Sequence, residues 1–159
     1  MQEYVERTRK VHHCQQQEKI NIHHTVAKKY GLARNEKLKS VVKIDALFTG
    51  GRPFWVYPLS VYYRIYKDDD GDGAPCKMLV SVGKHYFKHA VDRNRIKRLV
   101  REAYRLNKEP LLNAVKANDV RLDIGIVYKS KQISDYKTVE AAIKQILEKL
   151  AAIVDKNEK

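Results

Sequence analysis

Residues 89 to 108 read HAVDRNRIKRLVREAYRLNK, and the rest of the chain is organised around them. Ile96, Leu99, Val100, Ala103 and Leu106 recur at helical spacing and predict one buried stripe. Asp92 suits an N-cap and Pro110 ends the run, so a helix is the natural reading. Between Arg93 and Lys108 seven bases stand against one acid, Glu102, a local charge of +6. Arg93, Lys97, Arg101, Arg105 and Lys108 follow at i+4 and i+3 steps along one predicted exposed face, with Arg95 and Arg98 beside it. Like charges at i+4 cost roughly a few tenths of a kcal/mol per pair. Solvated helix faces usually intersperse both signs, and this one does not. The row points to a polyanion, nucleic acid above all.

Composition agrees. The chain has 159 residues, enough for one domain with a real core, and a net charge of +13. That charge implies an anionic partner and says nothing about fold. Cys14 and Cys76 suggest no disulfide framework, which fits a reducing, cytoplasmic setting. No apolar run approaches the ~18 residues of a membrane span. The start, MQEYVERTRKVHH, lacks the apolar segment of a secretory signal. No membrane and no obligate protein partner are expected.

Three segments are expected: a basic arm over 1–33, a folded domain over 34–154 and a tail over 155–159. In the arm, His12, His13, Cys14, His23 and His24 match no zinc spacing. The arm reads instead as a source of phosphate contacts. Glu36 to Thr49 reads as a helix with Leu38, Val41, Ile44, Leu47 and Phe48 apolar, stopped by Gly50 and Gly51. Its apolar band is wider than one core stripe needs. Either all of it is core, or part faces another surface.

FWVYPLSVYYRIY, 54 to 66, alternates with period two and reads as one strand. Trp55, Tyr57, Leu59, Val61, Tyr63 and Ile65 form the face assigned to the core. Ser60, Tyr62, Arg64 and Tyr66 lie on the other, a mixture that stacks bases and touches phosphates. Pro58 suggests an edge or a bulge. KDDDGDGAP, 67 to 75, is a loop. Asp68, Asp70 and Asp72 imitate a calcium loop, but Leu79 stands where the bidentate Glu belongs. Strands follow over 77–87 and 122–128. A last helix follows Ser134, with Val139, Ile143, Ile146, Leu150 and Ile153 as its stripe. The order is helix, strand, strand, helix, strand, helix. It predicts an α+β fold, a two-layer sandwich on a small mixed sheet with a split βαβ unit.

No nucleophile–base pair, HExxH or phosphate-binding glycine loop appears. His85 and His89 flank the basic helix and read as phosphate or base contacts. The residues favour an RNA-binding protein over a self-sufficient nuclease.

The run from Val80 to Leu106, with Arg-Asn-Arg at 93 to 95 followed by IKRLVREAYRL, resembles the protein subunit of bacterial ribonuclease P. The resemblance extends from about Lys37 to about Leu150. It implies a left-handed crossover holding the basic helix, an exception to the usual hand. It also implies that a catalytic RNA subunit, bound one to one, carries out the chemistry with Mg2+. On the protein it assigns no catalytic residue and no metal ligand. By position it places Arg93, Asn94, Arg95, Lys97, Arg98, Arg101 and Arg105 against that RNA. The 5′ leader of precursor tRNA falls to Ile44, Phe48, Ser60, Tyr62, Arg64, Lys84 and His85. Ile44 stands where many relatives have Phe. His85 replaces the second Lys of a usual pair, which makes that charge pH-dependent.

Overall fold

The computed structural model describes residues 32–67 and 73–156. The expected arm, with its His12–His24 cluster, lies outside the described residues except for its last two positions. So do the calcium-like aspartates and residues 157–159.

β4 (Arg121–Tyr128) is the centre of the sheet. Leu122 to Ile126 are all buried, as expected of a strand covered on both faces. It lies between β2 (Leu59–Tyr66), antiparallel, and β3 (Cys76–Val82), parallel, with β1 (Arg52–Val56) outside β2. The order is thus β1-β2-β4-β3, with β4 inserted between two strands consecutive in sequence. The β3–β4 connection carries α2 (Ala90–Asn107) and α3 (Glu109–Ala117), and α4 (Tyr136–Lys156) closes the chain. Register puts Val61, Ile126 and Val80 on one sheet face, with Leu59, Tyr128 and Val82 beside them. These join Ile96, Val100, Leu111, Val139, Ile143 and Leu150 in one core. α1 (Val41–Gly50) lies on the opposite sheet face, anchored by the fully buried Leu47. The architecture is the predicted α+β sandwich on a mixed sheet.

Several local expectations change. The helix expected from Glu36 begins only at Val41. Arg34–Glu36 is a short 3-10 turn, and Leu38 donates its N–H to the Met78 carbonyl at 2.9 Å. Leu38 is thereby buried at the sheet edge rather than on a helix. The 54–66 run is two strands, not one, turned at Tyr57–Pro58. Proline has no N–H for the ladder, and the period breaks across the turn. Val56 therefore enters the core, while Trp55 and Tyr57 are 62% and 59% exposed.

α2 begins at Ala90 with His89 at the N-cap position, so Asp92 lies within the first turn. There it complements the helix dipole instead of capping. Tyr104 takes the buried place expected of Leu106, which is exposed, and Leu99 is only half-buried. Pro110 stands in the first turn of α3, which the sequence reading did not include. On α4, Asp135 Oδ1 accepts from the Thr138 N–H at 3.2 Å and caps the helix. Ser134 instead shares a hydrogen bond with the Tyr128 hydroxyl at 2.8 Å. The Val139, Ile143, Ile146 and Leu150 stripe is buried and continues to Val154, with Ile153 partly buried.

Candidate nucleic-acid interface

α2 buries Ile96, Val100, Ala103 and Tyr104, and that fixes which side chains face outward. Asn94, Arg95, Arg98 and Arg101 are exposed, and Lys97 is half-buried. Arg93 differs. Its guanidinium donates to the carbonyls of Phe87 at 2.8 Å and Lys88 at 2.7 Å, tying the preceding loop to the helix. Arg105 donates to Glu102 at 2.9 Å and holds that carboxyl below its usual range. Lys108, expected at the end of the exposed row, is buried. Its ammonium meets the Glu36 carboxylate at 2.6 and 2.7 Å. The outward cationic face is therefore shorter than the sequence suggests and centres on Arg95, Arg98 and Arg101.

The other surface is the sheet face beneath α1. Phe48 and Tyr62 meet edge to face, their centroids 5.0 Å apart. Tyr62 pairs across the ladder with Gly125. A Cβ on Gly125 would lie 3.1 Å from Leu47 Cδ2 and 3.3 Å from Phe48 Cζ. α1 seats against β4 because that strand has no side chain there. Sequence reasoning passed over Gly125; a lone Gly inside an alternating strand was the available signal. Ser60 is the next residue along β2 on this face, opposite Val127. Ile44 lies one turn before Phe48 on α1 and is half-buried. Part of the wide apolar band of this helix thus does face away from the main core: Phe48 remains 37% exposed. Lys84 and His85 are exposed in the turn after β3, where the His85 ring rests 3.8 Å from that of Tyr86. β3 is separated from β2 by β4, so this pair follows the edge strand farthest from β1 and not a neighbour of β2.

Arg64 continues the face and is opposite Asp123, which is opposite Lys77 on β3. Asp123 is a second residue that sequence reading missed. It is 1% exposed, and neither carboxylate oxygen has a well-formed hydrogen bond among the described residues. Burial raises its pKa; Lys43, the nearby Tyr66 hydroxyl, Lys77 and Arg64 oppose the rise. Lys43 and Arg64 also lie over the Tyr66 ring, at 5.4 and 5.6 Å. A cationic cluster therefore adjoins the aromatic pair, with one shielded carboxylate at its base.

Cys76 lies on the opposite, helix-covered face. Burial pushes its thiol up to about 12, so it is a neutral core group at pH 7 and not a nucleophile.

These features define a class: a basic α+β sandwich with a cationic helix on one side and an aromatic, cation-flanked sheet face on the other. The model of the Ribonuclease P family matches residues 32–151. The ribonuclease P protein component of Porphyromonas gingivalis is 41% identical over 125 residues, 79% of this chain and 90% of that one. That of Chlorobaculum tepidum is 32% identical over 126 residues, 75% of this chain and 82% of that one. The ribonuclease P protein from Thermotoga maritima aligns with a TM-score of 0.56 at 22% identity. It covers 72% of this chain and 96% of its own, a likeness of fold. The chain belongs to the ribonuclease P protein family and is a protein component of that tRNA-processing ribonucleoprotein. No helix among the described residues is long and apolar enough to cross a membrane.

Proposed function

We propose that the chain binds the catalytic RNA subunit of ribonuclease P, one to one, through the outward face of α2. It receives the 5′ leader of precursor tRNA on the sheet face beneath α1 and so assists endonucleolytic release of that leader in the cytoplasm. The observation that carries this reading is the separation of two surfaces. Arg95, Arg98 and Arg101 suit structured phosphate. The Phe48–Tyr62 pair, with Ser60, Arg64 and Lys43 nearby, suits an unpaired strand whose bases need a ring to stack on. Among the described residues no three His, Cys, Asp or Glu side chains converge on a point. The reading places Mg2+ with the RNA and routes no protein step through it.

The test is precursor tRNA cleavage at low magnesium with protein alone, RNA subunit alone, and both. Specific 5′ cleavage is expected only where RNA is present, with the protein stimulating it. Robust cutting by repurified, nuclease-treated protein would sink the assignment.

The α2 contact carries its own prediction. Each phosphate neutralised releases condensed counterions, so log affinity falls linearly with log salt. Arg101→Ala should weaken RNA-subunit binding and reduce that slope by up to about one unit. Arg93→Ala should instead loosen the 87–88 loop, because its guanidinium is already engaged there. An unchanged slope for Arg101→Ala would move the RNA surface off this helix.

A further inference from the structure

Beside the cationic face, α2 and the start of α4 enclose a groove of about 550 Å³. Its floor is apolar and aromatic: Leu32, Leu99 and Tyr136. Its rim carries Arg98, Arg101 and Arg105, with Glu102 among them paired to Arg105. Leu99 belongs by sequence to the buried stripe of α2, yet it is only half-buried because the groove opens over it. The Tyr136 hydroxyl is shielded from water and has no hydrogen-bond partner among the described residues.

We propose that this groove receives one unstacked nucleobase of the RNA that α2 holds, its ring against Tyr136 and its flanking phosphates on the arginine rim. The proposal rests on the reading of α2 as an RNA-binding helix. Charge selects the occupant. One acid, Glu102, also lines the groove and is paired with Arg105, so Arg98, Arg101 and Lys37 leave the lining net cationic; it repels a basic segment and attracts a polyanion. A bare phosphate would leave the apolar floor unused. A nucleotide supplies both parts, a flat apolar body and anionic flanks. Arg98 and Arg101 are three residues apart on one helix, about 5 Å along its axis. Side chains of that length, one helical turn apart, can meet the phosphates on either side of one extruded base. Unpaired, splayed bases are the elements of folded RNA that proteins stack on aromatic rings.

The experiment uses the full chain and the RNA subunit. Affinity is measured against salt for wild type, Tyr136→Phe, Tyr136→Leu and Tyr136→Ala, and each complex is probed with base-modifying reagents. Tyr136→Leu keeps apolar packing and removes the aromatic face, so it remains informative if the alanine variant is poorly folded. Tyr136→Phe should bind like wild type. Tyr136→Leu and Tyr136→Ala should lose about fivefold to a hundredfold, the range for one stacked base. Their salt slope should not change, because stacking releases no counterions. One unpaired nucleotide, protected with wild type and Tyr136→Phe, should become reactive in the other two complexes. A Tyr136→Leu protein with wild-type affinity and an identical footprint overturns the proposal and gives the groove to another occupant, such as an acidic peptide. A loss accompanied by a shallower slope also overturns it, since the groove would then be one more phosphate contact. Failure of the underlying reading of α2 looks different: Arg101→Ala would then leave affinity and salt slope at their wild-type values, whatever the Tyr136 variants do.

Discussion

Replacing Lys108 with methionine should lower the unfolding free energy by about 3 kcal/mol, near the bottom of the range for breaking a buried ion pair by removing one partner. The Lys108 and Glu36 side chains are only 7% and 14% exposed. Glu36 also accepts from the Ala33 N–H at 2.8 Å. The lysine therefore holds the 33–38 segment against the end of α2, across 72 residues of sequence. Without it, the shielded Glu36 carboxylate keeps, among the described residues, only the contact from the Ala33 N–H. Urea denaturation should show a lower midpoint with an unchanged m-value. Arg105→Ala breaks the exposed pair with Glu102 and should cost less than about 1 kcal/mol. At temperatures where the Lys108→Met protein is folded, its affinity for the RNA subunit and its salt slope should match wild type. A normal midpoint with weakened RNA binding would return Lys108 to the phosphate-binding row where the sequence alone had put it.

Tyr62→Ala should weaken holoenzyme binding to precursor tRNA by roughly tenfold to a hundredfold, the value of one lost base stack. The loss should appear only with leaders of several nucleotides. A one-nucleotide leader, mature tRNA and the RNA subunit should bind nearly as before. Tyr62 meets Phe48 at 5.0 Å and lies on the sheet face away from the main core, so truncation leaves the α2–α4 packing in place. Tyr62→Phe keeps the ring and should retain most of the affinity. Titrating wild type and both variants against long-leader and one-nucleotide-leader substrates is sufficient. An equal loss on both substrates would make Tyr62 a folding residue and end the cleft assignment.

Much of this was legible in the chain because periodicity is a local property. The α4 stripe and the buried Ile96, Val100 and Ala103 of α2 follow from spacing alone. Tyr62 and Phe48, 14 positions apart, came together as the alternation of β2 and the apolar width of α1 implied. The errors share a cause: they depend on what another segment does. Lys108 reads as the last residue of a basic row until Glu36 is known to be beside it. Trp55 and Tyr57 read as core until the chain turns at Pro58. Leu38 reads as helical until Met78 offers it a carbonyl. Asp123 drew no reading from its place in an apolar strand, because its surroundings depend on Arg64, Lys77 and Lys43 arriving from three other elements. Pro110 carries two opposite meanings, helix stop and helix start, and only the fold chooses between them.

Gly125 has a consequence for how tightly the proposed leader strand would bind beneath α1. Leu47 and Phe48 rest on backbone there, and backbone has no rotamers to yield. Their positions are set by the covalent geometry of the strand rather than by a neighbouring side chain that could swing away. The Phe48 ring is consequently restrained before any ligand arrives. Association then need not freeze it, and immobilising a side chain at an interface typically costs about 0.5–1.5 kcal/mol. A glycine in the middle of a central strand weakens that strand when considered alone. Here it gives α1 a rigid seat, fixed when the chain folds, and so preorganises the surface proposed for the leader.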